Sequence, residues 1–319
     1  MNNEKTENRY QDMLTTALGE DIVKFMNDNN VIGIMVNPDG KLWLDFLMQG
    51  KMFSGITLPS EQTENIIKLV AAVKEIVVNE DHPEVACDLF KNGARFQGWL
   101  PPVVVSPSFT IHKRAIKIFS IEDYLKTGSI ELNQANFLKK AVRERKNIII
   151  AGGAASGKTT FANALLYELK ESKDRIIVLE DIPELQIAAA DYVKLNTTDK
   201  KNMHDLIKGV LRMRPDRIVI GEISDGAALE LLKAWNTGHP GGLCTLHANS
   251  PEATISRLED LIREVVAIVP INLIAEAINI IVFMYRESSS KYIVGSINIC
   301  EKTENGQIRL QDLKRLPQV

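Results

Sequence analysis

Gly152-Gly153-Ala154-Ala155-Ser156-Gly157-Lys158-Thr159 is the stretch on which the fold turns. It follows the apolar run Ile148-Ile149-Ile150 and precedes a helical pattern, Thr159–Leu169. A glycine-rich loop between a buried strand and a helix turns its backbone N–H groups toward a cluster of phosphate oxygens. The helix adds its N-terminal dipole to the same place. Lys158 supplies a point charge for the β- and γ-phosphates, and Thr159 a hydroxyl for Mg²⁺. The spacing G-x-x-x-x-G-K-[ST] predicts a P-loop, with Gly152 to Thr159 and Thr160 around the nucleotide.

Outward from the loop, strand and helix patterns alternate. Strands are expected at Asn147–Ala151, Ile176–Glu180 and Arg217–Gly221, and helices at Asn133–Arg143, His204–Leu211 and Gly226–Trp235. Alternation of this kind predicts an α/β domain with a largely parallel sheet covered by helices. The first part of the chain reads as α+β. A helix is expected over 9–29, a hairpin of Val31–Val36 and Lys41–Leu47 around Asn37-Pro38-Asp39-Gly40, and a helix from Glu61 to Val77 capped by Ser60. Short strands are expected at Ala94–Trp99 and Phe109–Lys113. The predicted division is a domain over 1–119, a linker over 120–130 broken at Lys126-Thr127-Gly128, and a P-loop domain over 131–319.

A P-loop needs partners that position water and offset charge on the transferring phosphoryl group. Glu222 follows the buried run Ile218-Val219-Ile220, and a carboxylate at the C-terminal edge of a parallel strand faces the crevice where ligands bind. There it can orient or deprotonate water. Glu180, Asp181 and Glu184 close the strand before it. By themselves they read either as carboxylates acting on Mg²⁺ through water or as an acidic turn. Gly238–Asn249 holds two of the five histidines, His239 and His247. That segment fits hydrogen bonding near the γ-phosphate or plain packing, and no third metal ligand stands nearby. Arg95, Arg114, Arg212 and Arg214 are the arginines available to meet phosphate charge.

In order, these segments resemble the traffic ATPases of type II and type IV secretion, most of all the conjugal-transfer branch. The likeness runs from about residue 10 to 315, as four motifs in sequence. The P-loop is similar to GGTGSGKTT, and Leu179–Glu184 to the family's Asp box. Leu211–Glu222 is similar to its Walker B region, and Trp235–Asn249 to its His box. Arg95-Phe96-Gln97-Gly98, Pro101-Pro102 and Phe109-Thr110-Ile111 also match. The resemblance implies a RecA-like C-terminal domain, a smaller PAS-like N-terminal domain and a homohexameric ring that hydrolyses ATP with Mg²⁺. It implies pilus assembly or substrate transfer with inner-membrane secretion machinery as partner. It gives Lys158 and Thr159 to phosphate and Mg²⁺, Glu222 to water, and Glu180 and His247 to the phosphate–water region. Arg95 and Arg114 would reach the nucleotide.

The sequence departs from the family pattern at three places. Ala154-Ala155 replaces Thr-Gly, and alanine is expected to hold the loop only with negative φ. Ser224 and His112 stand where arginines are usual, and Lys113 or Arg114 is left to substitute for the arginine at 112. A nucleic-acid-dependent ring motor is a rival reading, disfavoured by a net charge of −3 and 6% aromatic residues. A nucleotide-shaped but non-catalytic ring component and a pilus-retraction ATPase are the others. Three scattered cysteines, Cys87, Cys244 and Cys300, argue against the four-cysteine metal element of some relatives. The polar N-terminus and the interrupted apolar stretch Val265–Tyr285 lead to the expectation of a cytoplasmic protein, peripheral at the inner membrane, with no direct nucleic-acid partner.

Overall fold

The computed structural model describes residues 2–46, 50–89, 94–113, 118–288, 291–304 and 306–315. The chain divides into two units, Met1–Lys117 and Ile118–Val319.

The first unit contains α1 (Asn2–Asn27), β1 (Val31–Val36), β2 (Lys41–Phe46), β3 (Gly50–Thr57), α2 (Ser60–Val73), β4 (Glu84–Asp88), β5 (Arg95–Trp99) and β6 (Ser108–His112). Its six strands form one antiparallel sheet, ordered β3-β2-β1-β6-β5-β4. α1 is kinked at Gly19 (φ 77), with Leu14 and Leu18 one turn apart before the kink and Ile22 and Met26 one turn apart after it, and the four share one apolar stripe of the core. That stripe packs with Ile66, Ile67 and Val70 of α2 over Ile34, Leu42, Phe96 and Ile111. Gly40 closes the expected hairpin at φ 76, where a Cβ would stand 2.4 Å from the Leu58 carbonyl oxygen. Ser60 does not cap α2. Pro59 takes that position without a side-chain cap bond, and the Ser60 hydroxyl pairs with Ser106 at 3.0 Å.

The second unit contains α3 (Ile121–Lys126), α4 (Leu132–Arg143), β7 (Ile148–Gly152), α5 (Lys158–Tyr167), β8 (Ile176–Glu180), β9 (Tyr192–Asn196), α6 (Met203–Val210), β10 (Arg217–Ile220), α7 (Ala228–Asn236), β11 (Leu243–His247), α8 (Pro251–Arg263), α9 (Ile271–Ala277), β12 (Ile280–Ser288), β13 (Lys291–Lys302) and β14 (Ile308–Asp312). Its sheet is mixed, ordered β14-β13-β12-β7-β11-β10-β8-β9. Every pairing from β12 to β9 is parallel, and β13 and β14 add an antiparallel edge. β7, β8 and β10 are buried along their whole length. Helices cover both faces, so these strands are continuous apolar runs rather than alternating ones.

The stretch expected as a linker lies inside this unit. Ser120 and Asp123 form a reciprocal capping box that starts α3, and Tyr124 packs edge-on against Phe161 of α5 with ring centroids 5.0 Å apart. The apolar stretch Val265–Tyr285 becomes α9 and the first part of β12. Among the described residues, no helix is long and apolar enough to cross a membrane.

Candidate active site

Parallel strands end on a common edge, and that edge gathers the candidate residues. On β7, Gly152 is in register with His247 of β11 on one side and Met284 of β12 on the other. Glu222 follows β10 by two residues, and Glu180 is the last residue of β8, which pairs with β10.

The loop after β7 is held at both ends. A Cβ on Gly152 would stand 2.3 Å from the Met284 carbonyl oxygen and 2.6 Å from Ser156 Oγ, so the strand end accepts only glycine. At the other end Gly157 caps α5 in the left-handed region, φ 85. Between them Gly153, Ala154 and Ala155 are exposed. Ala155 has φ 52, contrary to the expectation that alanine holds this loop only at negative φ. The fixed ends impose the turn, and the residue at its crest takes the left-handed conformation whether or not it carries a Cβ.

Ser156 Oγ is buried and has no hydrogen-bond partner. A buried unpartnered hydroxyl is costly, and here it lies in the glycine-rich loop between β7 and α5. Lys158 is 6% exposed. Its ammonium donates to the carbonyls of Gly152 at 3.1 Å and Gly153 at 2.8 Å, and meets His247 Nδ1 at 3.2 Å. Burial lowers its pKa, while the Glu222 charge works the other way.

His247 completes a chain. Its Nε2 lies 3.3 Å from Glu222 Oε1. An ammonium only donates, so Nδ1 must accept and the ring proton sits on Nε2, directed at Glu222. The imidazole thus orders Glu222 and Lys158 together. Glu222 and His247 are 44% and 47% exposed, so both are open to solvent. Thr245 of β11 also donates to the Gly221 carbonyl at 2.6 Å, fixing the backbone just before Glu222.

Glu180 has a different environment. Its carboxylate is 1% exposed. Oε1 accepts the backbone N–H groups of Glu184 and Leu185, both at 2.7 Å. Oε2 has no hydrogen bond and faces the Lys194 ammonium at 3.7 Å. Burial raises its pKa against those bonds and that charge. One carboxylate oxygen therefore folds the 181–185 loop back on the strand, and the other stays buried against the Lys194 ammonium.

Other predicted residues lie in the first unit, at the end of α7 or outside the described residues. Arg95 is exposed at the start of β5 in the first unit. Arg114 lies outside the described residues. Lys113 is not free to replace an arginine. It is 4% exposed, and its ammonium caps the α1 C-terminus through the carbonyls of Phe25 at 3.0 Å and Asp28 at 2.6 Å. His239 faces the Ala234 carbonyl at 3.3 Å, at the end of α7. Among the described residues no three His, Cys, Asp or Glu side chains gather to hold a metal.

Sequence reasoning missed two supports of the site. Asn147 accepts the N–H groups of Gly241 at 2.8 Å and Gly242 at 3.0 Å, and donates to the Ala277 carbonyl at 2.6 Å. It thereby ties the turn that leads into β11 to β7. Arg217, buried in β10, donates to Asp174 at 2.6 Å and to the carbonyls of Val142 and Gly241. A polar residue directly before each apolar run was the available signal.

Residues 98–297 match the family model described as type II/IV secretion system protein. The chain is 42% identical over 300 residues to the probable conjugal transfer protein TrbB of Sinorhizobium fredii (strain NBRC 101917 / NGR234), covering 93% of this chain and 92% of that protein. It is 39% identical over 288 residues to the conjugal transfer protein TrbB of Rhizobium radiobacter, covering 90% and 89%. Among solved structures, the ATPase DotB of Yersinia pseudotuberculosis matches 89% of this chain and 79% of its own at a TM-score of 0.65 and 16% identity, a likeness of fold. A family model over most of the second unit and a relative so similar along nearly the whole length place the chain in the type II/IV secretion system protein family.

Proposed function

We propose that this chain hydrolyses ATP as one subunit of a homohexameric motor in a bacterial type IV secretion or conjugal transfer system. In this reading the second unit is a RecA-like core and the first a PAS-like domain. The motor works in the cytoplasm, peripheral at the inner membrane, against membrane-embedded secretion proteins, with no direct nucleic-acid substrate. The observation that carries the proposal is the Lys158–His247–Glu222 chain beside a loop whose buried Ser156 hydroxyl lacks a partner.

The residues fit a magnesium triphosphate. A phosphate seated at the N-terminus of α5 would meet the amides of its first turn, and Ser156 Oγ would gain the partner it lacks. Lys158 exchanges two carbonyls for phosphate oxygens, a stronger charge-assisted bond. Thr159, and Glu180 through water, would hold Mg²⁺. Bound there, the ion would offset the negative charge that develops on the phosphates. Glu222 orients the attacking water and accepts its proton, and the Nε2–H of His247 keeps that carboxylate in place.

Turnover of Glu222→Gln against the wild-type chain tests this, with phosphate release measured in Mg-ATP and particle mass measured on the same sample. The expected results are a ring-sized particle, a rate loss of about 10²–10⁴-fold for a missing general base, and no stimulation by single-stranded DNA. A wild-type ring without phosphate release, or a glutamine variant as fast as wild type, would refute the proposal.

A further inference from the structure

β12 and β13 form a hairpin that passes the end of β7. Met284 is in register with Gly152, so the residues after Met284 and those returning in β13 stand beyond the strand edge, next to the P-loop. Across this hairpin Arg286 pairs with Tyr292, with its guanidinium carbon 5.4 Å from the ring centroid. The same ring reaches the loop. A Cβ built on Gly157 would meet Tyr292 Cδ1 at 3.0 Å and Cγ at 3.3 Å. Tyr292 therefore rests on the last glycine before Lys158, at the N-terminus of α5.

The surroundings are aromatic on one side and polar on the other. Tyr124 is buried behind this region, edge-on to Phe161 of α5 and to Phe119. Burial, and next the charge of Tyr292, push the Tyr124 phenol up. Arg286 and Tyr292 are half-buried, and the tip residues Glu287, Ser288 and Lys291 are exposed. The hairpin thus keeps a half-buried ring and a guanidinium beside the phosphate loop.

A triphosphate seated on the loop must send its nucleoside out along the cradle rim. Bases stack on tyrosine rings and on guanidinium planes, and this gain is available to any base because each has a π-face. We propose that Tyr292 and Arg286 form the stacking platform for the purine base of the nucleotide, so that the β12–β13 hairpin supplies a base subsite separate from the phosphate cradle. This rests on the nucleotide reading of the loop given above.

The test separates base from phosphate by using two probes on the full chain in Mg²⁺: ATP and inorganic tripolyphosphate, measured by calorimetry. Tyr292→Ala weakens ATP by roughly 5- to 100-fold, the range for one lost base–aromatic stack, and leaves tripolyphosphate within about twofold. Tyr292→Phe keeps the π-face and binds ATP like wild type. Tyr292→Leu fills most of the volume without that face, so it shows the same selective loss and serves if the alanine variant does not fold. ATP and tripolyphosphate weakening together in the folded variants would make Tyr292 a prop for Gly157 and overturn the platform. So would an ATP affinity unchanged in Tyr292→Leu. A wild-type chain that binds tripolyphosphate as tightly as ATP sinks the platform and leaves the cradle standing. One that binds neither sinks the nucleotide reading itself.

Discussion

Replacing Ala155 with glycine should make the protein more stable, and replacing its neighbour Ala154 with glycine should make it less so. Ala155 sits at φ 52, whereas Ala154 is not among the residues with positive φ. An L-residue in the left-handed region costs about 1–2 kcal/mol through the clash of Cβ with the carbonyl. Glycine removes that cost but adds unfolded-state entropy worth about 0.4–1 kcal/mol. Ala155→Gly is therefore expected to gain about 0.5–1 kcal/mol net. Ala154→Gly pays only the entropy and loses about 0.4–1 kcal/mol. Both side chains are exposed, so neither change opens a cavity. For a unit of this size the Tm moves by about 2–4 °C per kcal/mol. The two variants should thus shift in opposite directions, each by a few degrees. Thermal and urea unfolding of the nucleotide-free protein measure the difference. Two variants with the same sign, or Ala155→Gly below wild type, would show that the loop's turn does not fall on residue 155.

Three further outcomes follow from the supporting contacts. Asp174 bonds Arg217 and Arg145, and although burial pushes its carboxyl up, the two guanidinium partners hold it below its usual value. A depressed carboxyl gives stability that is present above its unfolded pKa and lost as pH falls toward the folded one. Asp174→Asn should cost about 3 kcal/mol at pH 7 by uncovering buried Arg217, and the gap to wild type should narrow below about pH 4 in urea titrations. Asn147→Ala strips hydrogen bonds from Gly241, Gly242 and Ala277. It should cost about 3 kcal/mol and lower turnover, because β11 carries His247; unchanged urea unfolding would refute this. Lys113→Met uncaps two carbonyls at the end of α1. It should lower the urea midpoint by an amount worth about 1–3 kcal/mol while leaving the ATP affinity of the chain unchanged. A selective loss of ATP binding would instead give Lys113 a role at the nucleotide.

Much of the second unit was legible because its information is local. Ile148-Ile149-Ile150, Ile176–Leu179 and Ile218–Ile220 are strands buried on both faces, and such strands write themselves as apolar runs. The P-loop was legible for a related reason, since anion binding by backbone needs glycines at short, fixed spacing. β9 was missed because Tyr192–Asn196 is a half-exposed edge strand, and β11 because its apolar residues lie within the Gly- and His-rich segment. What spans distance in the chain could not be read at all. Lys113 reaches back to Phe25, and Glu180 closes a loop of its own making by accepting two amides. In a one-dimensional pattern both look like free charges. Ala155 shows the converse error, in which a residue preference was trusted over the constraint set by both ends of its loop.

The glycines at the two ends of the phosphate loop also determine which substitutions this motif can absorb over time. At Gly152 the Met284 carbonyl and at Gly157 the Tyr292 ring stand where any side chain would go. Around Gly153 a Cβ would meet no neighbour within 4 Å, and the two alanines after it already face water. Drift in related chains should therefore concentrate on the three crest positions. A library randomising 152–157 and selected for folding would be expected to keep both end glycines and to let the crest vary.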